Sequence, residues 1–267
     1  MNMFEQLVEN KVAFVSLGVL IGLLSWESIR PFFGFFRKRL RKRAVHAGRN
    51  LTLWLINKAM ISLVFVASWA WAAEFTKVNQ FGLLYHADLT QGSRAALAIL
   101  LFDVWTYWWH RLSHVLPFLW RFHRTHHSDP HMDVTTANRF HTGEILISSV
   151  LRIPLILLLG AELWHLALYE ALMFPVVQTQ HANIGLGHKL DRFMSLFIVT
   201  PNMHKVHHSR VQAETNSNYT SLFSIWDRLF GSFRLRDDPE KIELGLEGYD
   251  SSERQTLLGL LKTPLGK

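Results

Sequence analysis

Histidine is the residue type in this chain whose spacing could do chemistry. Residues 123–128 read HRTHHS and residues 204–209 read HKVHHS, so the pattern His-x-x-His-His-Ser occurs twice. A third group, HRLSH at 110–114, places His110 and His114 four residues apart. On a helix, residues three and four positions apart lie on one face, with Cβ atoms about 5–6 Å apart. Each group can therefore present two or three imidazoles to one point.

Converging imidazoles indicate metal binding. Imidazole suits iron, zinc, copper and nickel, and a metal that also holds substrate or water rarely uses more than three or four protein ligands. Eight or nine converging histidines therefore predict two metals. Asp103 and Glu144 are the nearby carboxylates, and each could bind a metal or orient a ligand histidine. The chain has no cysteine, which excludes cysteine zinc sites and cysteine-held iron–sulfur clusters within it.

Other histidines are expected to be ordinary. A lone histidine on an apolar helix is usually a satisfied core residue or a surface residue, and this is the interpretation for His46, His86, His165 and His188. His131 stays open between the two interpretations. Protonated imidazoles packed as closely as those of the two HxxHH groups would repel one another, so a metal explains these groups better than a pH sensor does.

The elements that must position these groups are predicted to be membrane helices. The chain is 49% hydrophobic and 18% charged, whereas soluble domains carry about 25% charged residues. Apolar runs cover roughly 12–26, 51–73, 95–109, 144–160 and 163–180. The predicted fold is an all-α, multi-pass bundle of four to five membrane helices with a histidine-rich metal-binding cap on the cytoplasmic face.

A basic block, RKRLRKR at 37–43, predicts the orientation in the membrane. Basic residues directly after an apolar run are typical of a cytoplasmic juxtamembrane anchor, so anionic lipid explains the net charge of +7 better than nucleic acid does. If the helices cross alternately from this block, His110 and His181 both emerge on its side. The fourth and fifth runs carry several polar residues, so a hairpin of half depth is the alternative.

The motifs resemble those of the fatty acid hydroxylase/sterol desaturase superfamily of membrane di-iron enzymes. HRLSH, HRTHH and HKVHH are similar to its three histidine boxes, and the resemblance extends to DVTTANRFHTGE at 133–144 and NYTSLFSIWDRLFG at 218–231. It covers roughly 95–235. The expected organisation is N-terminal membrane helices and the basic segment over 1–94, a catalytic domain over 95–235 and a polar cytoplasmic tail over 236–267.

The resemblance implies an O2-dependent di-iron hydroxylase, with two irons per chain, that acts on a C–H bond of an acyl or sterol-type membrane lipid. Lipid desaturation and ether-lipid oxygenation are alternatives on the same site. The implied ligands are His110, His114, His123, His126, His127, His181, His204, His207 and His208. A tenth ligand is open, with His141 as a candidate, and Asp103, Tyr107 and Asn218 are implied to support the site. Electrons would come from a separate cytochrome b5-like or ferredoxin-like donor, because no flavin or nicotinamide fingerprint is present.

Two functions of other classes remain as alternatives. A membrane metal-binding or transport protein would spread its ligands along the helices at mid-depth, whereas these histidines lie at helix ends. A zinc-dependent membrane hydrolase would use an HExxH-like pair with a glutamate base, and neither HxxHH group contains glutamate.

Overall fold

The computed structural model describes residues 3–86 and 88–266, and the regular structure in these residues is helical. The longer helices are α1 (Met3–Ile29), α2 (Leu40–Met60), α3 (Val66–Asn79), α4 (Gln91–Val115), α5 (Pro117–His127), α6 (Thr142–Leu159) and α7 (Leu163–His181). The shorter ones are α8 (His188–Met194), α9 (Pro201–His207), α10 (Gln212–Thr215), α11 (Ile225–Leu229) and α12 (Leu257–Lys262). The predicted all-α class is therefore confirmed, and every predicted apolar run lies within helix for most of its length.

Within residues 3–86 and 88–266, two helical segments are long and apolar enough to cross a membrane. One is Leu40–Tyr85, in which α2 and α3 are joined by a π-helical turn, and the other is Thr142–Leu159. Val15–Ile29 is a shorter apolar helix. The predicted number of four to five membrane helices goes beyond these two segments.

The main apolar core joins α3, α4, α6 and α7. Trp69, Phe102, Ile156 and Tyr169 are among its buried members. The ring of Phe102 stacks on that of Tyr169, with centroids 5.8 Å apart. This core holds α4 and α7 side by side, so that the histidines at their C-terminal ends share one end of the bundle.

At the opposite end of the bundle, the backbones of two glycines lie in close contact. Gly82 and Gly160 both have positive φ, and a Cβ on Gly82 would lie 2.2 Å from the backbone nitrogen of Gly160. A side chain at Gly82 therefore has no room. Arg94, in the first turn of α4, lies over the ring of Tyr85 at this end. Because α4 rises 1.5 Å per residue, His110 lies about 24 Å farther along the bundle than Arg94.

Both helices that carry an HxxHH group begin at proline. Pro117 opens α5 and Pro201 opens α9. Proline suits the first helical position because its missing N–H has no partner there in any helix. The hydroxyl of Thr200 also accepts a hydrogen bond from the backbone N–H of Met203, at 3.3 Å. The prolines at 117 and 201 thus indicate, from sequence alone, where the two histidine helices begin.

The basic block and the C-terminal segment both reach the histidine end. Arg43 Nη2 lies 2.5 Å from Glu27 and its Nε lies 3.9 Å from Asp133. At the other end of the chain, Arg124 donates a hydrogen bond to the carbonyl of Thr263 at 2.7 Å, and Leu260 is fully buried. The C-terminal segment therefore packs against α5.

Candidate metal centre

Nine histidines gather into two groups at one end of the bundle. The five-histidine cluster contains His110, His114, His123, His127 and His207, and the four-histidine cluster contains His126, His181, His204 and His208. Within each cluster, one ring nitrogen from every member lies within 4.8 Å of the others. The clusters adjoin, because the rings of His127 and His208 are stacked with centroids 4.4 Å apart.

Each HxxHH group serves both clusters, in a reciprocal way. On α5, His123 and His127 belong to the five-histidine cluster while His126 belongs to the other. On α9 and its C-cap, His204 and His208 belong to the four-histidine cluster while His207 belongs to the other. Two residues four apart lie nearly above each other on a helix, and the third points about a quarter-turn away. The repeated motif is therefore a bridging element that presents a pair to one point and a single ring to the next.

The ring nitrogens have the spacing expected around a metal ion. His181 Nε2 lies 2.9 Å from His204 Nε2 and 3.1 Å from His126 Nε2, and His208 Nε2 lies 3.2 Å from His204 Nε2. Two nitrogens bound about 2.1 Å from one metal are about 3.0 Å apart at a right angle and about 3.4 Å apart at a tetrahedral angle. The four-histidine cluster matches this range without rearrangement.

In the five-histidine cluster, two lone pairs face each other. His110 Nδ1 lies 2.6 Å from the carbonyl oxygen of Tyr219, and His207 Nδ1 lies 2.6 Å from that of Ser217. A carbonyl can only accept, so both Nδ1 atoms carry the proton and both Nε2 atoms carry a lone pair. These Nε2 atoms are 3.0 Å apart. Neutral rings held this way repel each other unless a cation lies between them.

Other ring nitrogens in the clusters are buried without a partner. Both nitrogens of His114 and of His127 lack a hydrogen bond, as does Nε2 of His123. Burial of an unpaired polar atom costs about 1–3 kcal/mol, so five such atoms in one place need an explanation. A bound metal supplies a partner for each ring that faces it. The residues present thus fit a pair of metal ions.

Outer partners orient several of these rings. His123 Nδ1 donates to Glu144 Oε1 at 2.8 Å, and both side chains are buried. His181 Nδ1 donates to the carbonyl of Val177 at 2.7 Å. Such partners fix the tautomer that leaves Nε2 free for a metal and raise its basicity. Glu144 therefore has the orienting geometry that was one of its two predicted roles.

Burial favours the neutral, metal-binding form of several of these histidines. Desolvation, followed by the neighbouring imidazoles, lowers the pKa of His126, His204 and His208 well below its ordinary value of 6.5. Desolvation lowers the pKa of His207 to about 3. A metal bound by any of these four rings would therefore not compete with protons at physiological pH.

Asp103, Tyr107 and Asn218 lie outside both clusters and support the segment that carries the two orienting carbonyls. Asp103 accepts hydrogen bonds from Tyr169, from the backbone of Phe223 and from the indole of Trp226. Tyr107 Oη lies 2.8 Å from Ser232 Oγ. Asn218 adopts a left-handed conformation, with φ of 53°, and donates to the carbonyls of Met203 and Arg234. It lies between Ser217 and Tyr219, whose carbonyls receive the His207 and His110 protons.

The remaining histidines are placed elsewhere. His141 is the N-cap of α6, where Nδ1 accepts from the backbone of Gly143 and Nε2 lies 3.1 Å from the carbonyl of Leu261, so the structure does not bring it to either cluster. His131 packs against the rings of Phe35 and Phe36. His46 bonds Asp129 at 2.9 Å, and His165 accepts from the backbone of Glu162 at 3.0 Å.

Sequence reasoning missed a buried network beneath the clusters. Arg139 is fully buried and donates to Thr125, Asn50, Ser128 and Gln255 over 2.8–3.2 Å. It thereby ties α2, the HRTHH helix and the C-terminal segment together. The sequence signal for this network was Arg139 itself, which lies in the segment 133–144 that resembles the family. The resemblance gave this arginine no role.

The family is decided by a match over the central half of the chain. The fatty acid hydroxylase family model matches residues 95–232, which contain all nine clustered histidines. The chain belongs to the fatty acid hydroxylase family. Both histidine clusters therefore lie in the region that the chain shares with a family of oxidoreductases.

Relatives extend the similarity beyond this region. The chain is 28% identical over 243 residues to the ornithine lipid hydroxylase OlsE of Rhizobium tropici, covering 89% of this chain and 70% of that protein. It is 32% identical over 150 residues to human alkylglycerol monooxygenase, covering 56% of this chain and 32% of that protein. It is 23% identical over 168 residues to rat cholesterol 25-hydroxylase, covering 62% of this chain and 55% of that protein. No solved structure matches the chain.

Proposed function

We propose that this protein is an O2-dependent di-iron hydroxylase of a membrane lipid. The observation that carries the proposal is the facing pair of Nε2 atoms of His110 and His207, 3.0 Å apart, with both Nδ1 protons already donated to carbonyls. The two facing lone pairs repel each other, and a cation bound between them would remove this repulsion. The family supplies the class of chemistry, since its named relatives are hydroxylases and monooxygenases of lipids.

The two clusters would each hold one iron. His110, His114, His123, His127 and His207 would bind one ion, and His126, His181, His204 and His208 the other. Two bound irons would supply the activation of O2 that oxidation of an unactivated C–H bond requires and that side chains cannot provide. Phe140 stacks on the ring of His126 with centroids 4.4 Å apart. Its ring would fix that imidazole and shield one side of the site from water.

The proposed substrate is a lipid with an amino-acid-containing head group. The similarity to the ornithine lipid hydroxylase supports it, because this similarity spans 89% of the chain, whereas that to alkylglycerol monooxygenase spans 56%. An alkylglycerol is the second candidate, favoured by the 32% identity over 150 residues to alkylglycerol monooxygenase. Hydroxylation is preferred over desaturation because these relatives are named for oxygen insertion.

The proposed setting is a multi-pass membrane protein with four to five membrane helices and the clusters on the cytoplasmic face. The contacts of Arg43 with Asp133 and of His46 with Asp129 support it, since they place the end of the basic block beside the segment that follows HRTHH. Electrons would arrive from a separate cytochrome b5-like or ferredoxin-like protein on that face. Labels at residues 45 and 85 should be accessible from opposite sides of the membrane, and labelling of both from one side would contradict this topology.

The function is tested by metal content and by product. Detergent-purified protein, reconstituted with Fe(II) under anaerobic conditions, should contain about two irons per chain, which is one for each cluster. His126→Ala and His127→Ala, although adjacent in sequence, should each lose iron from a different cluster. Both should abolish an added-oxygen lipid product, as judged by mass spectrometry of lipids from cells that express the protein.

His188→Ala is the matched control, because His188 is exposed and lies outside both clusters. It should keep both irons and the product. Iron binding without any oxygenated lipid in the presence of a reducing system would contradict the enzyme assignment. Failure of the wild-type protein to bind iron after reconstitution would contradict the di-iron assignment.

A further inference from the structure

Six large apolar side chains form an exposed patch outside the two candidate membrane spans. They lie on α8, on the turn that follows it and on α11, and each is between 51% and 66% exposed. The members of this patch are Leu190, Phe193, Leu196, Phe197, Ile225 and Leu229. Contiguous exposed apolar surface of this kind marks an interaction site with a protein or a membrane.

The patch is a fixed surface, because hydrogen bonds join its two segments. The backbone N–H of Ser224 donates to the carbonyl of Phe197 at 3.1 Å. Ser224 Oγ and Arg228 Nη2 both donate to the carbonyl of Ser195, at 2.6 and 3.0 Å. The rings of Phe193 and Phe197 also contact each other, with centroids 5.7 Å apart.

The polarity of these two segments is reversed relative to that of a water-soluble surface. Asp191, Ser195, Ser224 and Asp227 are buried, while their apolar neighbours face outward. Asp227 accepts from the backbone of Tyr219 at 2.8 Å, so its inward position is used for structure. Segments that turn carboxylates inward and phenylalanines outward are suited to an apolar environment outside the protein.

The surroundings of the patch favour a bilayer as that environment. The side chains of Lys189 and Arg192 are exposed between its apolar members, and Arg192 also pairs with Asp237 at 2.6 Å. Cations beside apolar side chains match the anionic head groups of a membrane surface. The patch also continues into the outer face of α4, where the exposed Trp108 packs against Phe230 with ring centroids 4.9 Å apart.

We propose that this patch inserts into the interfacial layer of the membrane and holds the histidine end of the protein at the bilayer surface. Thr200, the N-cap of the HKVHH helix, follows Phe197 by three residues. The membrane contact and the ligand-bearing helix are therefore one continuous piece of chain. Taken with the proposed function, this places the site where a lipid reaches it without leaving the membrane.

The absence of cysteine from the chain allows a direct test. Phe197→Cys and Leu229→Cys carry a nitroxide label, as do two controls made the same way. Leu63→Cys lies in the candidate span Leu40–Tyr85 and is 86% exposed there, and Glu253→Cys lies on the exposed part of the C-terminal segment. The proteins are reconstituted into vesicles of phosphatidylcholine and phosphatidylglycerol, and collision with O2 and with a water-soluble nickel chelate is measured by electron paramagnetic resonance.

Labels at 197 and 229 should collide mainly with O2, as the label at 63 does, and only weakly with the chelate. Collision with the chelate at the level of the label at 253 would overturn the proposal. Weak collision with both reagents would overturn it too, since it would mean that another protein copy covers the patch. Because the readout is depth and not turnover, it is independent of the metal and of the proposed reaction.

Discussion

Glu144 offers a sharp test of the metal centre because it touches one cluster through a single bond. Its Oε1 accepts from His123 Nδ1 at 2.8 Å, and the two side chains are 5% and 2% exposed. We predict that Glu144→Leu weakens metal binding at the five-histidine cluster and leaves the four-histidine cluster unchanged. The substitution removes the acceptor, so the His123 proton is left buried and the ring is free to adopt the wrong tautomer.

The magnitude follows from the type of bond. A hydrogen bond to a charged group contributes about 1.5–3 kcal/mol, and loss of an outer partner of a metal-bound histidine typically costs about 10–100-fold in metal affinity. The two estimates agree, because each factor of ten corresponds to about 1.4 kcal/mol. Glu144→Gln keeps an acceptor and loses only the charge, so it should lie between Glu144→Leu and the wild type.

The assay is a titration of metal-free protein with Co(II), whose absorption reports binding at each step. One equivalent should bind about 10–100-fold more weakly in Glu144→Leu while the other keeps its wild-type affinity. Glu170→Leu is the matched control, because Glu170 accepts its bond from Arg152 at 2.7 Å and from no histidine. Two unchanged equivalents in folded Glu144→Leu protein, or equal weakening of both, would refute the reasoning.

Three further predictions concern stability. Metal-free protein should lose stability as the pH falls below about 6.5. Below that pH, histidines in the unfolded chain bind protons, whereas His207 in the folded protein, with a pKa of about 3, does not. Denaturant unfolding at pH 7 and pH 5.5 measures the loss, and equal free energies of unfolding at the two pH values would contradict the prediction. Asn218→Val should destabilise by about 1–3 kcal/mol and Asn218→Gly by less, because φ is positive there, as thermal unfolding would reveal. Arg139→Leu should cost at least about 3 kcal/mol by leaving buried acceptors unpaired, and Gln255→Ala, which removes one of those acceptors, should cost less in the same assay.

Local periodicity explains why so much of the fold was predictable. The apolar runs at 95–109 and 163–180 are long and uninterrupted by glycine, and helices α4 and α7 cover them. The spacing of His123, His126 and His127 fixes their relative directions on any helix. What spacing within one helix cannot give is which rings from different helices meet, because that depends on how the helices pack.

The C-terminal segment shows which contacts local sequence patterns do not reveal. Residues 236–267 are polar and without a strong period, so they were expected to form a tail. Their contacts are made by single residues that reach distant partners, as when Gln255 Nε2 donates to the carbonyl of Ser128 at 2.7 Å. Such long-range hydrogen bonds leave no local signature. The same reason hid the role of Arg139, which is visible only once α2 and α5 lie side by side.

The duplication of HxxHH has a physical logic that the packing makes plain. A helix that offered only a pair four residues apart could serve one metal, and a second helix with the same pair could serve another, but nothing would fix the distance between them. The additional histidine, three residues after the first, lets α5 contribute His126 to the four-histidine cluster and α9 contribute His207 to the five-histidine cluster. Each helix then spans both clusters, so movement of either one would disturb both. We infer that the motif occurs twice because reciprocal sharing holds two metal sites at one fixed separation.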